Sequence, residues 1–441
     1  MRRALYCVMM GVLGLGSLWA EAGLRAGYAK IDVTPSGPVW LGGYDLRNTP
    51  SDGVYPGEKL YVRALVYESG GLKVAFVEAD IIMARDHDRV RANIASATGI
   101  AASNILFGDV HNHAAPSPDS KRNGEWTRQF DAAVIEAVKR AAAGVEPVRV
   151  AAGQGRSRIA MNRRAVRTAD ADSNLTFDEN ARSQSFGEFK TDRPALLHEF
   201  EGDMRLGANP GGPIDDAVQL VRIDGAKGPL ALMIHYPCHG TTLGGRNSKV
   251  SGEWMGRMQD YVERQFPGLG SIYVQGAAGD INPRVVGGLD GNRDDIEAVH
   301  RLGEEIGREV VRVYRGLKPE EVAGARIRIA SQDILLPRAY QELFKDFRRP
   351  AVHAPTTVIR IGDLMWVTFP GEMFHAIGKF VKSACPAPYA HLAGYVNGYI
   401  GYFPEQQAFA EGGYEPATSH LAPNAEQVYK RAISAMLRAF E

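Results

Sequence analysis

The chain has 441 residues, 45% of them hydrophobic and 23% charged, an ordinary globular composition with enough apolar side chains to bury a large core. Lys plus Arg equals Asp plus Glu at 51 each, with no basic stripe or acidic tail, so the charge balance gives no case for nucleic acid. A small-molecule partner is expected instead.

Arg2 and Arg3 precede an apolar run from Ala4 to Trp19, and Ala20-Glu21-Ala22 follows. This order of charge, short hydrophobic stretch and small-x-small reads as a secretory signal over residues 1–22, cleaved after Ala22. The run is shorter than the ~20 apolar residues that a spanning helix needs, and glycines interrupt it. A secreted or periplasmic protein with no transmembrane segment after signal cleavage is expected. Cys238 and Cys385 then remain; two cysteines supply no four-cysteine zinc pattern, and whether they pair is open.

Short apolar runs predict strands at Tyr61 to Tyr67, Lys73 to Glu78, Asn104 to Val110, Val148 to Ala152, Val218 to Ile223, Leu230 to His235, Ser271 to Gln275, Ala325 to Ala330, Thr356 to Ile361 and Leu364 to Phe369. Amphipathic spacing predicts helices at Asp86 to Ala97, Trp126 to Ala143, Glu253 to Arg264, Arg293 to Tyr314, Glu372 to Ser383 and Ala425 to Phe440. Strands interleaved with helices imply an α/β architecture. Thr168 to Gly212 is the exception: polar, almost without periodicity, and expected to be a surface excursion near the site. No comparable linker occurs elsewhere, so residues 23–441 read as one domain.

Chemistry-bearing residues collect where strands end. Asn104 to Val110 runs into His111-Asn112-His113, and in an extended chain residues i and i+2 share a face, so both imidazoles could enter one site. Leu230 to Ile234 runs into His235-Tyr236-Pro237-Cys238-His239-Gly240, where Pro237 and Gly240 stop the strand. His235, Cys238 and His239 are all possible ligands. Glu372 follows Pro370-Gly371 at the expected first turn of a helix, a position that the helix dipole alone explains. Histidines with a carboxylate suit catalytic zinc. The glycine-rich turns at Gln275 to Arg284 and Gly398 to Pro404 match no phosphate-binding or dinucleotide fingerprint, and no Gly-x-Ser-x-Gly elbow occurs.

In their order along the chain, these blocks resemble the catalytic domain of neutral ceramidases, zinc amidases that cleave the N-acyl bond of ceramide. The resemblance runs through Ala26 to Pro35, Leu41 to Tyr44, Leu60 to Leu65, Val77 to Asp80 and His111 to His113. It continues through Met161 to Arg164, His239, Val250 to Glu253, Gly279 to Pro283, Pro370 to Glu372 and Tyr399 to Tyr414. It implies central mixed β-sheets flanked by helices and a Zn2+ cofactor held by His111, His239, Glu372 and Tyr402. Tyr402 is preferred to Tyr399 because its spacing to Tyr414 matches two family tyrosines. It further implies that His113 moves protons and that Arg163 and Tyr414 line the site.

The resemblance has departures. Asn282 stands where the family carries a serine, which favours attack by a zinc-bound hydroxide, with Asn282 orienting substrate or oxyanion. The family's C-terminal β-sandwich is expected to be absent. The function implied is hydrolysis of an amide bond in a ceramide-like or other lipid-like substrate. An ester or sugar-linked substrate on the same site, and a non-catalytic binding protein, are the alternatives.

Overall fold

In the computed structural model, which describes residues 23–44, 47–84, 86–118, 121–166, 204–286, 296–322, 326–339 and 351–441, the apolar runs become strands of five sheets. The first contains β1 (Arg25–Asp32), β2 (Tyr61–Ser69), β3 (Leu72–Ala79), β4 (Ile105–Asp109) and β5 (Glu146–Pro147), in the order β4-β3-β2-β1-β5. β3 and β4 are parallel and the other pairs antiparallel. Alternation along β2 and β3 is hydrophobic on both faces, because both faces are covered. Val62, Ala64, Val66, Ala75 and Val77 pack on helices α1 (His87–Thr98) and α2 (Gly124–Ala143) through Ile94, Phe130, Val134 and Val138. Leu65, Tyr67, Val74 and Phe76 pack in the opposite direction, against Val221, Met233, Ile272 and Val274 of the second sheet.

That second sheet has the order β11-β10-β9-β6-β13, from β6 (Arg149–Arg156), β9 (Ala217–Gly225), β10 (Gly228–Tyr236), β11 (Gly270–Gln275) and β13 (Glu320–Glu321), with β10 and β11 parallel. Its outer face carries Leu232, Ile234 and Tyr273 against α3 (Glu253–Gln265) and α4 (Ile296–Gly316). Two sheets thus lie between two helix layers, which bears out the α/β reading with mixed sheets and outer helices. A third sheet, β14 (Ile327–Pro337), β15 (Ala351–Ile361), β16 (Leu364–Thr368) and β18 (Tyr389–Ala393), packs against α5 (His375–Ala384) and α8 (Ala425–Arg438). The small sheets are β12 (Ile281–Pro283) with β7 (Ala160–Val166) and β8 (Met204–Asn209), and β17 (Glu372–Met373) with β19 (Tyr402–Phe403). Short helices α6 (Gln406–Glu411) and α7 (Tyr414–Thr418) follow β19.

The differences from the sequence expectations have local causes. β1 has weak alternation, yet it pairs with β2 along its full length. Gly27 within it lets α2 approach, since a Cβ there would sit 2.1 Å from the Ala141 carbonyl oxygen. The helix expected from Glu372 begins at His375: the amides of Glu372 and Phe374 are claimed by the carbonyls of Gly401 and Phe403, at 2.9 and 3.1 Å, so a parallel ladder replaces the first helical turn. Within Thr168 to Gly212, Met204–Asn209 is a strand paired with β7, and residues 167–203 lie outside the described residues, as does the expected signal segment 1–22. No helix among the described residues is long and apolar enough to cross a membrane.

Candidate metal centre

Parallel pairing gives β3 with β4, β10 with β11 and β16 with β18 a common direction within each pair, and several site residues follow their C-terminal ends, the usual place for ligands on open α/β sheets. β4 ends at Asp109, and His111 then takes a left-handed conformation with φ +57°. The extended geometry expected through His111 and His113 therefore does not hold. The kink is held by hydrogen bonds from the Asn112 amide to Ile82's neighbour Ile81 (2.9 Å) and from the His113 amide to Gly240 (3.0 Å). The two imidazoles still meet, nearly perpendicular at 86° with ring centroids 4.9 Å apart. Their convergence comes from a turn, not from strand periodicity.

His239 arrives from β10 after Pro237, and both its backbone amide and its Nδ1 engage the Ile281 carbonyl, at 3.2 and 2.9 Å. Nδ1 of His111 likewise bonds the Ile82 carbonyl at 2.9 Å. A carbonyl accepts only, so each Nδ1 carries the proton and each Nε2 presents a lone pair, the arrangement that orients metal-binding imidazoles. Both Nε2 atoms face one carboxylate oxygen, Oε2 of Glu372, which lies 3.0 Å from His239 and 3.6 Å from His111. The other Glu372 oxygen accepts a short hydrogen bond from the Tyr399 hydroxyl. Nitrogens of His111, His113 and His239 all fall within 4.8 Å of one another. Neither ring nitrogen of His113 has a hydrogen-bond partner among the described residues, although solvent does not reach them.

The electrostatics agree with a site built for a cation. Burial pulls His111 down to about 4, against the pull of Glu372, and burial together with the neighbouring imidazoles and arginines holds His113 well below 6.5, so both rings are neutral ligands near neutral pH. Glu372 is fully buried, which by itself raises a carboxyl; the His111 and His239 imidazoles when protonated, together with Arg163, outweigh this and bring it down to about 2. Convergent neutral imidazoles, an ionised carboxylate and two orphaned ring nitrogens fit a divalent metal ion. His111, His239 and Glu372 are the residues best aimed to hold it, with His113 within reach.

Around this centre Arg163, on β7, places Nη1 3.3 Å from both His239 Nε2 and Asn282 Oδ1, and its guanidinium lies 5.2 Å from the Tyr402 ring. Tyr402 is in register with Glu372 across β17 and β19 and makes an edge contact of 5.5 Å with Tyr414. His111, His113, Arg163, His239, Asn282, Glu372, Tyr402 and Tyr414 thus lie in one neighbourhood, with Tyr399 touching Glu372 directly and Tyr402 lying beside Arg163. His235 is elsewhere: its Nε2 is bound to the Leu392 carbonyl at 2.8 Å. Cys238 and Cys385 are both free thiols.

Two contributors have no signal in sequence periodicity. Glu415, 1% exposed on α7, accepts from Arg163 Nε at 2.7 Å and from Arg164 Nη1 at 3.0 Å. Tyr395, with φ +60°, stacks on His111 at 4.4 Å. Only the adjacency of Glu415 to Tyr414 could have drawn attention to it.

No known family profile matches this sequence, and no curated protein does. Solved structures do match. One, described as a ceramidase complexed with C2, aligns with a TM-score of 0.72 at 17% identity, over 95% of this chain and 75% of that one. Another, neutral ceramidase from Pseudomonas aeruginosa, aligns with a TM-score of 0.73 at 17% identity, over 95% of this chain and 74% of that one. The chain therefore has the fold of the neutral ceramidases.

Proposed function

We propose that this protein is a metal-dependent hydrolase, with zinc as the ion, that cleaves an amide bond in a lipid-like, N-acylated substrate. The observation that carries the reading is the convergence of His111 and His239 Nε2 on Glu372 Oε2, with each Nδ1 pinned to a backbone carbonyl. The ceramidase fold supports the amide class. His111, His239, Glu372 and Tyr402 hold the ion. Bound there, a divalent ion supplies Lewis acidity toward a carbonyl and lowers the pKa of water toward ~7.

The chain's own residues account for the rest. His113 lacks the carbonyl anchor that marks the other two imidazoles, so it is assigned to proton transfer. Arg163 donates to Asn282 Oδ1, and an arginine only donates, so the amide orientation of Asn282 is fixed with Nδ2 as its other arm. Nδ2 serves as a donor to the substrate oxygen on which charge develops. Tyr414 lines the same wall. Asparagine is no nucleophile, so attack falls to water, with Asn282 stabilising charge.

Secretion or export to the periplasm follows from the reading of residues 1–22, and residues 23–441 are taken as one catalytic unit. The test is metal analysis of purified protein, then hydrolysis of an N-acyl panel including ceramides, beside ester and glycoside panels, with and without chelator. Chelator-sensitive amide hydrolysis is expected. Metal binding with turnover confined to esters or glycosides would overturn the amide assignment, and absence of bound metal would overturn the centre.

A further inference from the structure

The two pinned imidazoles stand on separate strands of separate sheets, His111 beyond β4 and His239 beyond β10, so something must fix the distance between those strand ends. One buried side chain spans them. Gln275, the last residue of β11 and 0% exposed, donates from Nε2 to the Val110 carbonyl at 3.3 Å and to the Cys238 carbonyl at 2.8 Å. Val110 precedes His111 and Cys238 precedes His239. Its Oε1 accepts from the Cys238 and Gly276 amides, each at 3.1 Å. The Gln275 backbone carbonyl accepts from the Gly394 amide at 2.9 Å, next to Tyr395, whose ring lies on His111.

We infer that Gln275 is a positioning residue that sets the separation of His111 and His239, and with it the affinity and geometry of the metal centre. This rests on the metal-dependent reading above. A primary amide suits the place because it needs both donors and acceptors: two carbonyls face Nε2, and two backbone amides face Oε1. That arrangement also fixes which end is nitrogen. Gln275→Glu keeps the size but turns an acceptor toward both carbonyls; Gln275→Leu keeps the bulk and leaves every one of those buried groups without its partner. In either variant the strand ends lose their side-chain tie and keep only the backbone bond from the His113 amide to the Gly240 carbonyl, and the imidazoles shift with them.

The experiment uses the full chain stripped of metal with chelator and titrated with cobalt(II) alone, reading affinity and the visible absorption spectrum, with thermal unfolding recorded alongside. The comparison variant is Val274→Ala, one residue away on β11, which removes apolar contact in the core between the sheets and leaves the Gln275 hydrogen bonds to the two strand ends in place. Expected are a loss of cobalt affinity of about tenfold or more in Gln275→Glu and Gln275→Leu, with altered absorption bands, and an unchanged affinity and spectrum in Val274→Ala despite its own loss of thermal stability. Should Gln275→Leu not fold, Gln275→Glu alone decides. Wild-type affinity and spectrum in the Gln275 variants would overturn the inference while leaving the metal centre standing. A wild-type chain that binds no cobalt would overturn the centre and the inference with it.

Discussion

Nε2 of His239 lies 3.0 Å from Oε2 of Glu372, across a gap of 133 residues in the chain, while Nδ1 of the same ring is held by the Ile281 carbonyl at 2.9 Å. The ring is fixed at one nitrogen and offered at the other. His235 is also held at one nitrogen, by the Leu392 carbonyl, with Nδ1 unpartnered among the described residues; what sets His239 apart is that its other nitrogen faces the Glu372 carboxylate.

Replacing either pinned imidazole should abolish the centre. His111→Ala and His239→Ala are expected to lose bound metal and to lower kcat/KM by roughly a thousandfold or more, since Lewis-acid stabilisation is worth several kcal/mol. His113→Ala, by contrast, is expected to keep the metal and lose most of the activity, about 10²–10⁴-fold for a proton-transfer group. Metal analysis beside kinetics decides it. Loss of metal in His113→Ala would make the three imidazoles the ligand set and end the proton-transfer assignment.

Asn282→Asp preserves shape and removes the Nδ2 donor. Its expected effect is a fall in kcat of about 10²–10³-fold, the usual cost of one oxyanion donor, with little change in metal content. An unchanged kcat would remove Asn282 from the chemistry.

Glu415 is the one carboxylate shared by Arg163 Nε and Arg164 Nη1. Glu415→Gln takes the carboxylate from Arg163 and leaves Arg164 with Glu411 alone, and removing one partner of such a buried pair costs about 3–5 kcal/mol. Urea unfolding should show the midpoint falling, and kcat should fall with it because Arg163 also orients Asn282. A variant with wild-type stability would refute the account of this cluster.

A pH dependence follows from His375, whose Nδ1 lies 2.5 Å from Asp280 Oδ2. Burial lowers the imidazole, but the hydrogen bond to Asp280 and its charge outweigh burial and leave it raised above 6.5. A folded pKa above the unfolded one gives stabilisation that is complete below the unfolded value of about 6.5 and disappears as pH rises through the folded value. Unfolding free energy measured in chelator should therefore decline above pH ~6.5. His375→Asn should flatten that segment of the curve; an identical slope in the variant would exclude His375 as its source.

Much of this protein is legible along the chain because the relevant physics is local. Apolar period and Pro or Gly punctuation place β4, β10 and β16, and residues immediately past their ends, His111, His113, His239 and Glu372, stand out as polar groups where a strand must stop. Other features depend on contacts that periodicity does not encode. The left-handed turn at His111 exists because the Asn112 and His113 amides bond to Ile81 and Gly240 on other segments. Glu372 is a strand residue because the Gly401 and Phe403 carbonyls accept the amides of Glu372 and Phe374, an extended pairing that a helical turn there could not make. Glu415 meets Arg163 across 252 residues, and Gln275 meets Val110 across 165. The sequence by itself determined which residues could ligate and at which strand ends they stand. Only the tertiary structure decided which nitrogen each ring offers and how far apart the rings are held, because a hydrogen bond between distant segments belongs to neither segment alone.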